Sequence, residues 1–556
     1  MPDDIFQPTL EEYVDESGEK KGPLTNANGQ LKGYERMDRA RPRIVRWLDE
    51  RLMFGFSEWN APGYYEEDIC ALLNLIDFCR DPQIQRQARM VMDLLVFDLA
   101  RFTQGGSFGV TAGRARAEHK RSGWKQSVGE LIQILFATRG YVNPQALQRT
   151  PWVSPNSDCA HAFCTSTRYC TPPVLLAIGR DRPSTFIDRS RVSIRFDEAR
   201  NYAIGFKTVE DVLFWWGHSA LATKETIVGS RTVAALFGLQ KLFEDQLPGI
   251  LLAAFWTMPE RLLVNLADKL SVRVEGMALT KANLYTFRNK DVMLSSIQSW
   301  RRGQVGYQVQ CWQATIDCDV AVWTTYPAAG QHSEGPDWWT GSAVIPRLVQ
   351  RGDAAIVMYA PDPFGYQFFA FGHRTHIWWP EKDFEESLER RQHGANVDGV
   401  WFFGRKGKGY IGIFSAQHDS SLQNTGTWAH QEILCDGLRN VFVVQVGNEE
   451  DYGPFSDFVE TCVRVRINVS KGVFSPLLPF TNVQCSYDMP HGRRLSVTYD
   501  DEWPYYHGSP FSDDDFPRFS NPYVQASWNA RQYTISHHGL SLTHDQVALK
   551  RTGDGL

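Results

Sequence analysis

The apolar positions of this chain change period once. From Arg41 they recur at helical spacing, with Ile44, Val45, Leu48 and Leu52 on one face. Ile69, Leu72, Leu73 and Ile76 follow at i, i+3, i+4 and i+7. Asp81-Pro82 breaks the pattern, and Ile84, Ala88, Val91, Leu95 and Leu99 resume it. A proline in the first turn of a helix forfeits no hydrogen bond, so this dipeptide ends one helix and starts the next. So short a connection makes the two helices antiparallel neighbours. Residues 126–138, 207–224, 230–245 and 248–270 carry further helical patterns. A series of antiparallel helix pairs predicts an (α/α) toroid domain over 41–270, after a polar, Gly-rich N-terminal arm over 1–40.

After Leu270 the period falls to two. SVRVEGMALT, YQVQCWQATI, DVAVWTTYP, AAIVMYA, GVWFFGRKGKGYIGIFSA, NVFVVQVG, TCVRVRINVSKGVFS, QCSYDMPHGRRLSVTYD and WNARQYTISHHGLSLT have the character of strands or hairpins, punctuated by Gly, Asn, Asp or Pro. So many strands with no intervening helix predict an antiparallel β-sandwich over 271–556. The fold class is therefore α+β multidomain: an N-terminal toroid followed by a C-terminal sandwich. The polar stretch EKDFEESLERRQHGAN reads as a surface excursion. Gly407, Gly409 and Gly412 match GxGxxG, but no helix follows, so the motif is a hairpin turn and not a dinucleotide site.

At 556 residues the chain exceeds one ordinary core. A net charge of −6 leaves no general basic face for nucleic acid. No apolar run spans a bilayer, because LLVFDLARF is interrupted by Asp98 and Arg101. The acidic N-terminus shows no signal peptide, so the expected location is the cytoplasm, or the exterior with a leader absent from this chain. Ten cysteines in this length are no disulfide scaffold. Cys159, His161, Cys164 and Cys170 are zinc-type residues at a spacing that matches no common zinc pattern, and His373 and His376 fall on opposite faces of a strand. No cofactor is implied, and spacing lends no support to a structural divalent metal.

Three stretches carry more polar and aromatic residues than packing needs. In SEWNAPGYYEED, the acids Glu66, Glu67 and Asp68 suit a helix N-terminus, but Glu58, Asn60, Tyr64 and Tyr65 make a polar-aromatic group on a connection. Thr111 to Arg121 is the strongest local basic cluster, fit to grip a carboxylate through Arg114 or Arg116. Tyr285 to Gln313 carries Arg288, Gln308, Gln310, Trp312 and Gln313, and suggests one wall of a carbohydrate cleft. On a single strand Gln308, Gln310 and Trp312 share one face and Gln313 takes the other. The same alternation lets at most one tryptophan of Trp338-Trp339, or of Trp378-Trp379, face a cleft.

SEWN before a Tyr-rich helix start, then RNKDVMLSSIQSW, CWQATI, WWTGSAVIPR and RTHIWWP in the strand half, resemble the heparinase II/III-like and alginate-lyase-like polysaccharide lyases. Uncharacterised members of that architecture are the nearer likeness. The resemblance implies β-elimination of a uronate-containing poly- or oligosaccharide in a cleft between toroid and sandwich. It implies Asn60 as carboxylate neutraliser, Tyr64 or Tyr65 as acid or base, and His119 and His376 as the histidines of the two domains. Glu58, Arg114, Arg116, Arg288, Trp312, Gln313 and Trp339 would hold the substrate. Ala112 departs from the pattern, since such relatives carry His there within Thr-x-Gly-Arg; if that His is catalytic in them, the site of this chain is altered or inactive.

Two other readings fit the same residues. An inverting glycoside hydrolase would set Glu58, Glu66, Glu67 or Asp68 across the bond from Asp291 or Asp337. A non-catalytic carbohydrate-binding protein would use the same wall without turnover. The expected partner in every case is a glycan, with neither nucleic acid nor membrane; the oligomeric state is not written in the sequence.

Overall fold

A computed structural model describes residues 13–14, 20–21, 33–136, 158–239, 249–327, 341–361, 373–393, 398–472 and 482–556. Helices concentrate in the N-terminal half and antiparallel sheets in the C-terminal half, as the change of period implies. Two compact units emerge: Met1–Leu52 with Ile194–Thr280, and Met53–Ser193 with Lys281–Leu556. This division cuts across the boundary at residue 270.

The first unit is helical. Its core gathers Ile227 and Ala234 of the helix Ile227–Phe237, Phe255 of Gly249–Thr257, and Leu263 and Ala267 of Glu260–Lys269. Arg46, on the helix α1 (Gly33–Phe54), bonds Glu50 one turn on and Asp211 of Val209–Trp216. Ser271–Val274 closes the unit as a helical turn where SVRVEGMALT suggests a strand; the first strand after it begins at Ala282.

In the second unit α2 (Tyr65–Phe78) and α3 (Pro82–Phe102) form the expected hairpin. Asp81 caps α3, its Oδ1 accepting from the backbone N–H of Gln83 at 2.8 Å and of Ile84 at 3.3 Å. α3 is polar in its first two turns and buried from Gln87 to Phe102, Arg89 and Asp98 excepted.

Among the described residues a ten-stranded, a six-stranded and a five-stranded antiparallel sheet make up most of the β structure. The ten-stranded sheet takes one strand, Phe186–Val192, from the helical half; it pairs with Ala282–Arg288 from Phe186↔Arg288 to Val192↔Ala282. The six-stranded sheet is covered on both faces. Ile356 and Met358 pack toward the helix Phe455–Arg464 and the five-stranded sheet. Tyr359 turns the other way, bonding Thr324 of the ten-stranded sheet at 3.0 Å. Double coverage explains why AAIVMY and NVFVVQV are continuous apolar runs and not alternations.

Three further expectations change. TCVRVRINVSKGVFS is not strand from its start: its first four residues end the helix Phe455–Arg464, where Phe455, Phe458, Val459 and Cys462 recur at helical spacing, and the strand begins at Ile467–Ser470. EKDFEESLERRQHGAN contributes Glu386–His393, an edge strand whose charges discourage further pairing. YQVQCWQATI is a strand only from Trp312 to Thr315: Tyr307 is left-handed at φ 51°, and the chain before Trp312 leaves the sheet. The hairpin at Gly407 is as expected, with Lys406 paired to Gly409. Among the described residues no helix is long and apolar enough to cross a membrane, and Cys159, Cys164 and Cys170 are free thiols.

Replacing Asp81 with Ala removes the cap of the most buried helix. Stability should fall by about 1 kcal/mol, read as a lower denaturation midpoint at unchanged slope.

Candidate functional site

Three segments of the second unit meet at one place: the loop before α2, the stretch after α3, and the irregular chain before Trp312. Backbone bonds clamp them. Gly113 N–H donates to Trp59 O at 2.8 Å, Ala112 and Gln310 exchange bonds of 3.1 and 2.8 Å, and Ala115 N–H donates to Gln308 O at 3.1 Å. The contact is too close for a side chain at Gly113, where a Cβ would sit 2.9 Å from the Trp59 ring. Ala112 is buried and supplies backbone bonding, but no polar side chain.

On the solvent side of this clamp Arg114 is held like a fork. Its Nε donates to Gln308 Oε1 at 2.9 Å and its Nη1 to Glu58 Oε1 at 3.0 Å. The guanidinium lies 4.5 Å from the centroid of the Tyr64 ring, and that of Arg116 lies 5.6 Å from the same ring. Tyr64 is half-buried and Arg116 exposed. An exposed ion pair of this kind contributes at most about 1 kcal/mol to folding, so its main effect is to orient Arg114.

The buried side is a continuous polar network. Asn60 is left-handed at φ 48°; its N–H donates to Tyr65 Oη at 2.9 Å and its Nδ2 to Thr111 O at 3.2 Å. Tyr65 donates to Asp98 Oδ2 at 3.1 Å. Arg101 bonds Asp98 at 2.6 Å and Asp188 at 2.7 Å, and Asp188 accepts from Ser190 and Asn521. Burial, then the Asp98 charge, pushes the Tyr65 hydroxyl well above the ordinary phenol range. Asn60, Tyr65, Asp98, Arg101 and Arg518 border a cavity of about 10 Å³, room for one water.

His119 joins the two sides. Its ring packs on Gly63, where a Cβ would stand 2.2 Å away, and its Nδ1 is buried without a hydrogen-bond partner. Burial, opposed by the Glu118 charge and aided by Arg116, pulls its pKa down to about 4, so the imidazole is neutral at physiological pH.

Thus Glu58, Asn60, Tyr64, Tyr65, Arg114, Arg116 and His119 do converge, in two layers. The other candidates lie elsewhere. Arg288 is 1% exposed, donates to Thr103 O and Tyr523 Oη, and lies over Phe186. Trp312 is buried with its Nε1 on Thr324 Oγ1, and Gln313 is buried with its Nε2 on Thr315 Oγ1. Gln310 Nε2 reaches Gln313 Oε1 at 3.4 Å, so the two glutamines meet despite their odd spacing, because this chain is not one strand. His376 is paired with Glu432 of the adjacent strand. Trp378 and Trp379 are both buried, Trp378 stacked on Trp323. Trp339 and Asp337 fall outside the described residues.

The residues that sequence reasoning missed here are Asp98, Arg101, Asp188 and Asn521. A signal existed: charges at i and i+3 inside an otherwise apolar helix must be paired when buried.

His119 makes a pH prediction. Its folded pKa of about 4 lies below the ordinary 6.5, so its contribution to stability is complete above pH 6.5 and lost as pH falls toward 4. Unfolding free energy should therefore decline through that window. Denaturant titrations at a series of pH values should show a shallower decline in His119→Gln.

Comparison of the chain with protein-family models, with curated proteins and with solved structures returns no match.

Proposed function

We propose that this protein is a polysaccharide lyase, cleaving a uronate-containing poly- or oligosaccharide by β-elimination at the Tyr64–Arg114–Arg116 surface. One observation carries the reading: a solvent-reachable tyrosine whose ring is flanked by two guanidiniums, one of them fixed in orientation by Glu58 and Gln308. The helix-rich half followed by a sheet-rich half accords with the toroid-and-sandwich plan of such lyases.

β-Elimination needs the sugar carboxylate neutralised, a base at the carbon beside it and an acid at the glycosidic oxygen. Arg114 and Arg116 bind the carboxylate and stabilise the negative charge that grows on it as the proton leaves. Tyr64 is the group that takes or gives that proton. Tyr65 has its hydroxyl committed to Asn60 and Asp98, so it acts as a support. Asn60, 2% exposed, positions the loop. A neutral, buried His119 packs under Gly63 and stays out of the proton transfer. An inverting hydrolase would need two carboxyls facing each other across the bond, and Glu58 is paired with Arg114.

Incubation with a panel of uronate glycans should yield ultraviolet-absorbing unsaturated products. Tyr64→Phe should lower kcat by about 10²–10⁴-fold with an unchanged melting temperature, and Arg114→Ala should both raise KM and lower kcat. Full activity in Tyr64→Phe would remove the assignment.

A further inference from the structure

Away from this surface, one group of metal-type donors converges among the described residues: Asp181, His537 and His538, whose donor atoms all lie within 4.8 Å of one another. Asp181 follows the helix Pro173–Arg180. His537 ends the strand Gln532–His537, which pairs with Leu540–Asp545 across the two-residue turn His538-Gly539. Both turn residues are left-handed, at φ 49° and 79°, the twist that a two-residue hairpin favours. Successive residues of a strand point to opposite faces. Here the left-handed turn brings the His538 ring back to within 3.9 Å of the His537 ring.

A second observation points to a ligand. His537 Nε2 is buried and has no hydrogen-bond partner. It faces Asp181 Oδ2 at 3.7 Å, too long for a hydrogen bond. Two donors bound to one tetrahedral ion at zinc-type bond lengths stand about 3.4 Å apart, close to this separation. The carboxylate is also oriented from behind. Arg288 Nη2 donates to Tyr523 Oη at 3.3 Å, so the tyrosine proton is free to go to Asp181, where Tyr523 donates to Oδ2 at 2.7 Å. The Tyr523 ring meets His537 edge-on at 5.1 Å. Ligands held by outer hydrogen bonds of this kind are typical of built metal sites.

We propose that Asp181, His537 and His538 bind one divalent transition cation of the zinc class. Two imidazoles and one carboxylate suit zinc, nickel or copper; calcium and magnesium require oxygen ligands. His538 is exposed, so the remaining coordination positions are open to water. The bound ion ties the C-terminal hairpin to the end of the helix Pro173–Arg180. None of its ligands belongs to the Tyr64 surface, so this site and the lyase reading stand or fall separately. The same contacts assign Arg288 to an outer shell of the metal site.

The test uses the full chain stripped with a chelator and titrated with zinc against a chromophoric competitor. Expected are one site per chain, no competition from calcium or magnesium, and a melting temperature that rises with zinc. Asp181→Asn retains an acceptor for Tyr523, and His538→Asn tolerates the left-handed turn. Each should weaken zinc binding by about tenfold or more while the metal-free melting temperature stays the same. Substituting the exposed His418 by Ala should leave binding unchanged. The absence of one-to-one binding, or binding that survives both Asp181→Asn and His538→Asn, would overturn the assignment.

Discussion

The second unit depends on a buried guanidinium. Arg101 is 2% exposed and lies among the rings of Phe97, Phe102 and Phe519 at 4.2–5.1 Å. A cation in such a place is tolerated only with full compensation, here from Asp98 on its own helix and Asp188 on the strand Phe186–Val192. Losing one partner of a buried pair costs about 3–5 kcal/mol, although an apolar replacement of the whole set can be neutral. The network therefore specifies which surfaces meet more than it adds net stability. Through Tyr65 it reaches α2 and the loop at Asn60; through Asn521 it reaches the C-terminal strands.

α3 repeats the device one and a half turns earlier. Asp93 is fully buried and accepts from Tyr169, His544 and Arg551, at 2.6–2.9 Å. Burial alone would raise its pKa, but the bonds from His544 and Arg551 hold it below the ordinary carboxylate value. One helix thus carries charges that anchor segments hundreds of residues away in sequence. The consequence for function is rigidity. The Asn60 loop, held in a left-handed conformation by Tyr65 and Thr111, presents Glu58 and Tyr64 from a fixed base, and the backbone clamp at Gly113 sets Arg114 against them.

What the sequence disclosed follows from the range of each interaction. The α2–α3 hairpin was legible because its signals are local: helical spacing, the Asp81 cap and Pro82. The hairpins at Gly407 and His538 were legible through turn chemistry. The helix Phe455–Arg464 was hidden because the β-branched run VRVRINV, which overlaps its last two residues, dominates the eye, although its own apolar spacing is helical. The solvent-facing half of the candidate site was legible as an excess of polar and aromatic residues, and Glu58, Tyr64, Arg114 and Arg116 do meet. Arg288 and Gln313 were chosen on the same excess, yet long-range packing buries them. Nothing local distinguishes an arginine that faces solvent from one that reaches a backbone carbonyl 185 residues away. The metal-type group was invisible for the same reason, since Asp181 and the His537-His538 pair are joined only by the fold.

The central functional claim is that bond cleavage proceeds by proton removal beside a carboxylate held by Arg114 and Arg116, without water entering the product. The most direct measurement is to cleave a uronate oligosaccharide in heavy-oxygen water and weigh the fragments by mass spectrometry. β-Elimination takes no oxygen from water: one product is an unsaturated uronate lighter by one water than its saturated form, and heavy oxygen at the new reducing end does not exceed the anomeric exchange of a control without enzyme. Heavy oxygen at the newly formed sugar end, with no unsaturated fragment, would contradict the account and place the protein among hydrolases.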